Sequence, residues 1–91
     1  MEFEWDQKKN HANMQKHGID FQDAKNVFLD PRYITEMDCR NDYREARYRI
    51  IGMVEEQILL VVYTYRNGRI RMISARRARK DERRTYCESH T

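Results

Sequence analysis

The sequence is poor in cysteine, proline and glycine, with two, one and three of them among 91 residues. Cys39 and Cys87 belong to neither a CxxC motif nor a Cys/His ligand spacing. This pattern indicates free thiols in a reducing compartment, with a Cys39–Cys87 disulfide as the less favoured alternative. The longest apolar stretch, residues 58–63, is far below the ~20 residues that span a bilayer, and no signal peptide is recognisable. We therefore expect a cytoplasmic protein that makes no use of a membrane.

Charge is abundant but unevenly distributed along the chain. Residues 66–91 contain nine Lys or Arg and three acids, whereas residues 1–65 contain nine bases and twelve acids. The net charge of +3 therefore conceals a basic C-terminal part with a net charge of +6. Such asymmetry favours a polyanion or an acidic protein as partner. The chain length fits one domain over residues 1–91, because two cores of half this size would each be too small to fold alone.

Local signals predict two helices in the first third of the chain. Asp6 is a good N-cap for a helix from Gln7 to about His17, and Gly18 can adopt the left-handed conformation that ends it. Asp20 is the cap of a second helix, which Asp30-Pro31 stops. An alternating segment, residues 1–5, precedes both helices and predicts a short edge strand.

The remainder of the chain alternates at the period of β-strands before a final helix. Asn67-Gly68 is typical of a type I′ hairpin turn and predicts an antiparallel meander. The fold class is therefore α+β. The predicted elements are strands at residues 33–37, 44–52, 58–66 and 69–75 and a helix at residues 77–88, in which Ala78, Glu82 and Tyr86 share one face.

Several short patterns occur together in an order that resembles the BrnT toxins of bacterial type II toxin–antitoxin modules. They extend over nearly the whole chain. The patterns are Phe3-Glu4-Trp5-Asp6, Asn13-x-x-Lys16-His17-Gly18, Phe21-x-x-Ala24, Val27-Phe28-x-Asp30-Pro31, Glu45-x-Arg47-Tyr48, Gly52, Val61-Val62-Tyr63-Thr64, Arg71-x-Ile73-Ser74-Ala75-Arg76-x-Ala78 and Glu82-Arg83-x-x-Tyr86.

This resemblance implies a RelE-like fold, in which an antiparallel sheet is flanked by two N-terminal helices and a C-terminal helix. It also implies an endoribonuclease that arrests growth by cutting RNA and is neutralised by a BrnA-type ribbon-helix-helix antitoxin. Promoter DNA would be bound through the antitoxin in the complex. The alternative is a non-catalytic module that binds nucleic acid or antitoxin on the same fold, or a degenerate toxin that retains only antitoxin binding.

A metal-independent ribonuclease needs a base for the 2′-hydroxyl and cations for the charge that develops on the scissile phosphate. Arginine suits the second role because its planar fork meets phosphate oxygens bidentately. Arg71, Arg76 and Arg47 are the predicted catalytic cations, provided that the strand register brings them to one face. Basic residues around them are predicted to bind RNA. These are Lys16, Arg49, Arg66, Arg69, Arg79, Lys80 and Arg83.

Three further residues are candidates for proton transfer, each with a structural alternative. His17 has the pKa range of a general base, but at a helix C-terminus we expect that pKa to be raised, which favours a capping role. Glu82 is either a proton-transfer group or a structural ion-pair partner of Arg76 or Arg79, and the ion pair is favoured. Tyr86 shares the helix face of Glu82.

The aromatic residues have two interpretations as well. Tyr48, Tyr63 and Tyr65 would either stack on unpaired bases or pack in the core, and Trp5 is assigned to packing between the first strand and the helices. No cofactor and no metal is implied. Three acids close in sequence, Asp38, Asp42 and Glu45, read as a polar loop rather than a metal site.

Overall fold

The computed structural model describes residues 1–38 and 45–89. Its strands and helices follow the predicted order. The strands are β1 (Phe3–Glu4), β2 (Ile34–Met37), β3 (Tyr48–Val54), β4 (Gln57–Arg66) and β5 (Arg69–Arg77). The helices are α1 (Gln7–His17), α2 (Phe21–Ala24) and α3 (Lys80–Glu88), with a 3₁₀ turn at Lys25–Leu29 that continues α2.

The strands form one five-stranded sheet in the order β1-β5-β4-β3-β2. Strands β2 to β5 pair antiparallel with their neighbours along the chain, which confirms the predicted meander. Strand β1 adds to the other side of β5 in parallel, so the sheet as a whole is mixed. The predicted α+β class is confirmed, and the arrangement agrees with a RelE-like fold.

Helix α1 begins and ends where its local signals predict. The Asp6 carboxylate accepts a hydrogen bond from the Lys8 amide at 2.8 Å, and Gly18 has a φ of 71°. The helix is nevertheless buried through polar residues, since Asn10 and Asn13 are its buried positions while Met14 is exposed. The sequence of α1 contains no apolar stripe. Hydrogen bonds, rather than apolar packing, therefore hold this helix against the rest of the fold.

The second predicted helix is α-helical only in its first turn. Asp20 caps it as expected, accepting from the Gln22 amide at 2.9 Å, but the α-helix ends at Ala24 and the chain continues as the 3₁₀ turn. The tighter turn packs Val27 directly over Gly52 of β3, where a Cβ atom would lie 3.1 Å from the Val27 carbonyl oxygen. Packing against the sheet therefore decides the geometry of this segment.

The last strand is longer than predicted, and the last helix is correspondingly shorter. Arg77 is still paired with Leu59 in the sheet, and the Ala78 amide donates to the Ile58 carbonyl oxygen at 2.9 Å. Because these backbone groups are used by the ladder, α3 begins at Lys80 rather than at Arg77. Strand β3 begins at Tyr48, whereas the prediction began at residue 44, which lies outside the described residues.

The two faces of the sheet carry separate hydrophobic clusters. We call them the α2 face and the α3 face after the helices that cover them. The α2 face packs Ile50, Leu59, Val61, Tyr63, Ile70, Met72 and Ala75 against Ile19, Phe21, Ala24 and Val27. The smaller cluster on the α3 face contains Ile51, Leu60, Val62 and Tyr86, with Ile34, Ile58 and Ile73 at its border.

Two tight hairpin turns connect the central strands. Asn67 and Gly68 have φ angles of 53° and 74°, which confirms the turn predicted from these residue types. The β3–β4 turn also has two residues with positive φ, but they are Glu55 at 47° and Glu56 at 68°. Glutamate is disfavoured in this region of backbone space, so these residue types do not predict the conformation of this turn.

No helix in the described ranges is long and apolar enough to cross a membrane. Cys87 is exposed on α3 as a free thiol, and Cys39 lies outside the described residues, as do residues 40–44. The Trp5 ring packs edge-on against Phe21, with ring centroids 6.0 Å apart, which confirms its predicted packing role.

Candidate active site on the α3 face

A β-bulge places two arginines of β5, Arg71 and Arg76, on the same face of the sheet, although their sequence positions differ by an odd number. Arg76 pairs with Leu60 and Arg71 with Thr64, four residues apart on β4, while the register shifts between Val62 and Tyr63. Residues of equal parity on one strand share a face, and directly paired residues share it across strands. Both arginines therefore lie on the α3 face with Leu60. Without the bulge they would lie on opposite faces.

Glu82 of α3 is the centre of an ion-pair network on this face. Its two carboxylate oxygens accept hydrogen bonds from the two terminal nitrogens of Arg76, at 2.8 and 2.9 Å. Its Oε1 atom also accepts from the Arg79 backbone amide at 2.8 Å, which fixes the first turn of the helix. Arg49 of β3 approaches from the other side, with Nη2 3.7 Å from Oε2. Two guanidinium groups thus share one buried carboxylate.

The network keeps Glu82 ionised. Hydrogen bonds from Arg76, the Arg79 amide and the positive charge of Arg49 together lower the pKa of Glu82 from 4.5 to about 2, against the opposing effect of burial. The side chain is only 8% exposed. Since a carboxylate with so low a pKa is a weak proton acceptor, the favoured prediction of an ion-pair role for Glu82 agrees with this geometry.

His17 lies beside this network at the end of α1. Asn13, one helical turn earlier on the same side of α1, is hydrogen-bonded to the backbone of Ala75, the residue before Arg76. Burial first, then the positive charges of Lys16 and Arg76, lower the pKa of His17 below 6.5. The expectation of a raised pKa is wrong, because desolvation and neighbouring cations outweigh the helix dipole. A neutral imidazole is thereby favoured near neutral pH.

Arg71 takes part in a separate ion pair. Its Nη1 donates to Glu4 of β1 at 2.6 Å, and the two residues are direct partners across the parallel pair of strands. The residues of β4 that pair with Arg71 and Arg76 are four positions apart. This spacing puts the backbones of the two arginines about 13 Å apart along the strand. The structure therefore separates the two predicted catalytic arginines of β5 into different clusters on the same face.

Arg47 lies just before β3, half-buried, with its carbonyl oxygen accepting from the Asp38 amide at 2.8 Å. Arg66 and Arg69 lie at the hairpin tip, paired with Glu45 at 2.8 Å and Glu2 at 3.1 Å. This tip is about 20 Å along the strands from Arg76. The structure therefore places Arg66 and Arg69 away from the Glu82 network.

Tyr86 lies within the apolar cluster under α3. Its hydroxyl group donates to the Asp30 carboxylate, which also accepts from the Met53 amide at 2.8 Å. Burial and the Asp30 carboxylate raise the pKa of Tyr86 to about 12. The residue thus ties α3 to the end of the 3₁₀ segment, and its predicted catalytic role has no support from this position.

The tyrosines lie on the face opposite the arginines. Tyr48 and Tyr63 are stacked with ring centroids 5.6 Å apart, and Tyr65 packs edge-on against both. Tyr63 is 3% exposed and belongs to the core of the α2 face, whereas Tyr65 is 57% exposed. Because Tyr48 and Arg49 are consecutive in β3, their side chains point to opposite sides of the sheet. The tyrosines do not share a surface with the Glu82 network.

The other predicted RNA-binding residues occupy exposed positions on the helices or next to them. These are Lys16 on α1, with Arg79, Lys80 and Arg83 at the start of α3. Arg83 also donates to the Ala78 carbonyl oxygen at 2.7 Å. Among the described residues no group of three potential metal ligands comes together. Asp42, one of the three acids considered as a metal site, lies outside those residues.

Most of the sequence matches the model of a known protein family. The family described as "Ribonuclease toxin, BrnT, of type II toxin-antitoxin system" matches residues 5–82. The chain belongs to the BrnT family. The resemblance predicted from the sequence is thereby confirmed, and with it a toxin that acts on RNA and is paired with an antitoxin. A comparison with curated proteins found no match.

The matched part of this BrnT-family toxin includes the whole Glu82 network and His17, and ends at Glu82 itself. Sequence reasoning missed two features of the site. One is Glu36 of β2, which binds Arg49 Nη2 at 2.9 Å. The other is the role of Asn13, although Asn13 stands three residues before Lys16 in the pattern that carried the resemblance.

Proposed function

We propose that this BrnT-family toxin is a metal-independent endoribonuclease, with its active site formed by Arg76, Arg49, Glu82 and His17. The observation that carries the proposal is the sharing of one buried carboxylate by two arginines next to a histidine with a lowered pKa. The whole chain, residues 1–91, is proposed to be one toxin domain acting in the cytoplasm.

Arg76 and Arg49 are the proposed phosphate ligands. Together with Glu82 they have a net charge of +1, and each guanidinium group has five N–H donors, of which Glu82 uses only some. The carboxylate fixes the Arg76 fork, so that little reorganisation is needed when negative charge develops on the phosphate. Glu82 therefore acts in this proposal as a positioning residue for Arg76.

His17 is the proposed general base. A neutral imidazole nitrogen removes the proton of the ribose 2′-hydroxyl, and the 2′-oxygen attacks the adjacent phosphorus. The bond from phosphorus to the 5′-oxygen breaks, and the leaving oxygen takes a proton from water. The products are a 2′,3′-cyclic phosphate and a 5′-hydroxyl end. The lowered pKa of His17 supports this role because the unprotonated form predominates at neutral pH.

The partner that we propose is a BrnA-like ribbon-helix-helix antitoxin, through which the complex would bind promoter DNA. The support is the family membership, since toxins of this class are paired with antitoxins. Co-purification of the toxin with the product of an adjacent reading frame tests this part. A stable complex with a protein of another fold would contradict it.

A second candidate is a toxin fold that binds its antitoxin without cutting RNA. The observation in its favour is that several of the predicted arginines already have carboxylate partners among the residues that the structure describes. These are Arg49, Arg66, Arg69, Arg71 and Arg76. Under this alternative the ion pairs would be structural, and removing Arg76 would affect stability alone.

Cleavage of a defined single-stranded RNA in buffer with EDTA distinguishes the two candidates. We expect the wild type to leave cyclic phosphate ends and Arg76→Lys, which keeps the charge but loses the bidentate fork, to cut at least tenfold more slowly. Arg69→Ala is the matched control, since Arg69 is an exposed, ion-paired arginine of the same strand. Folded wild type that leaves the RNA intact, or equal losses in both variants, would contradict the proposed site.

A further inference from the structure

The contact between Arg49 and Glu36 differs from the other contacts of the network in its exposure. The Arg49 side chain is 16% exposed, whereas that of Glu36 is 55% exposed. Glu36 lies on β2, the edge strand of the sheet, directly opposite Arg49 of β3. A half-buried cation is thus paired with a carboxylate that is free to move into solvent.

The guanidinium group of Arg49 also makes fewer contacts than its N–H groups allow. One nitrogen, Nη2, makes both carboxylate contacts, at 2.9 Å to Glu36 and 3.7 Å to Glu82. The buried Nε atom makes no hydrogen bond with any residue that the structure describes. Arginine binds carboxylates and phosphates best when two of its N–H groups engage two oxygens. The single contact with Glu36 therefore leaves the better, bidentate arrangement unformed.

Glu82 does not compensate for this. Its two oxygens are held by both terminal nitrogens of Arg76 and by the Arg79 amide, and Arg49 is at the outer limit of ion-pair distance. Counting Glu36, the two arginines and two carboxylates have no net charge. An RNA phosphate would meet a neutral site as long as Glu36 remains in place.

From these contacts we propose that the Glu36 carboxylate occupies on Arg49 the position of a substrate phosphate, and that RNA must displace it to bind. The inference rests on the proposed function, since it uses the same site. Glu36 is then an intramolecular competitor of the substrate. It keeps the Arg49 charge paired in the free toxin and weakens binding of polyanions that cannot displace it.

The test measures binding of a short single-stranded 2′-O-methyl oligonucleotide, which lacks the free 2′-hydroxyl and stays intact. By fluorescence anisotropy, Glu36→Gln should bind about two- to fivefold more tightly than the wild type, the range that corresponds to a surface ion pair. The slope of log K against log salt should steepen by about one, because the freed Arg49 then releases a counterion on binding.

Two comparisons make the result specific. Glu45→Gln removes an acid, 35% exposed, that pairs with Arg66 at 2.8 Å at the hairpin tip, so it changes the net charge equally at a distant ion pair. We expect it to have little effect on binding. In an Arg49→Ala background, Glu36→Gln should no longer tighten binding. A gain equal to that of Glu45→Gln, a gain that persists without Arg49, or no gain at all would overturn the proposal.

Cleavage of unmodified RNA by the same proteins separates this inference from the proposed function. Wild type that cuts RNA while Glu36→Gln binds no more tightly refutes the displacement of Glu36 alone. Wild type that does not cut while Glu36→Gln binds more tightly refutes the nuclease proposal and leaves the phosphate position on Arg49 supported. Thermal unfolding of each variant verifies that the compared proteins are folded.

Discussion

Asn13 and Ala75 are joined by two hydrogen bonds that substitute for a strand at the edge of the sheet. The side-chain nitrogen Nδ2 of Asn13 donates to the Ala75 backbone carbonyl oxygen at 2.8 Å. The side-chain oxygen Oδ1 of Asn13 accepts from the Ala75 backbone amide at 3.1 Å. Among the described residues, strand β1 pairs with Ile70 and Arg71 of β5 and no further, so the part of this edge toward the end of β5 needs other partners. A helix side chain supplies them, and this fixes α1 beside the candidate active site.

Replacing Asn13 by Ala should therefore destabilise the protein by about 2–4 kcal/mol, because buried backbone groups of Ala75 lose their partners. The Ile19 carbonyl oxygen, 3.0 Å from the same amide nitrogen, loses its partner as well. Urea unfolding measures the change. Gln15→Ala, at an exposed position of α1, is the control and should change stability by less than about 0.5 kcal/mol. Equal effects at the two positions would contradict the edge-strand role of Asn13.

The β3–β4 turn offers a substitution that should stabilise the fold. Glu56 has a φ of 68°, where a residue with a Cβ atom is strained and glycine is not. We expect Glu56→Gly to raise the free energy of unfolding by about 0.5–1 kcal/mol, measured by urea titration. Gln57→Gly, at the next position but within β4, should lower it instead. A loss of stability in both variants would show that the turn is not strained.

The ionised state of Glu82 makes stability depend on pH in the acid range. Its pKa is about 2 in the folded protein and 4.5 in the absence of the network, so the unfolded chain binds more protons between these values. The contribution, about 3 kcal/mol, is complete above pH 4.5 and is lost as the pH falls toward 2. Glu82→Gln should be less stable than the wild type at neutral pH, with a difference that shrinks over this range.

Urea unfolding of both proteins from neutral to acid pH measures that difference. Asp81→Asn is the control, since Asp81 is an exposed acid in the same helical turn. Its stability difference from the wild type should stay small at every pH. A Glu82→Gln difference that is constant with pH would show that Glu82 is not held ionised by its partners.

Tyr86 should prove structural rather than catalytic. Tyr86→Phe removes the hydrogen bond to the Asp30 carboxylate and should cost about 2 kcal/mol of unfolding free energy, while RNA cleavage by the folded variant is unchanged. Tyr33→Phe, on an exposed ring, is the control for removing a tyrosine hydroxyl. A cleavage rate that drops tenfold in Tyr86→Phe without a loss of stability would restore the catalytic assignment.

If His17 is the general base, kcat/KM for RNA should be constant through neutral pH and fall only when the pH drops below the lowered pKa of His17. The acid limb of this profile therefore lies below pH 6.5. His17→Gln should remove the limb and most of the activity. His11→Gln, at an exposed histidine of the same helix, should retain both. An unchanged limb in His17→Gln would assign the base to another residue.

The sequence alone determined the structural features that depend on residues close to one another along the chain. Asp6, Asp20 and Gly18 cap helices through contacts within a few residues, and Asn67-Gly68 closes a hairpin by its own backbone preference. The family pattern was also readable, because it is carried by residue types in order. The position of Glu82 and Tyr86 on one buried helix face followed from helical periodicity.

Only the tertiary structure decided which of the charged residues meet. The bulge in β5 set the common face of Arg71 and Arg76, and the pairing of β2 with β3 brought Glu36 to Arg49. The direction of the His17 pKa shift depended on burial and on Arg76, which is distant in sequence. Strand register, burial and the effect of distant charges are properties of packing between segments. Local sequence patterns therefore predicted the helices and strands of this toxin, whereas the tertiary structure determined which residues form its candidate site.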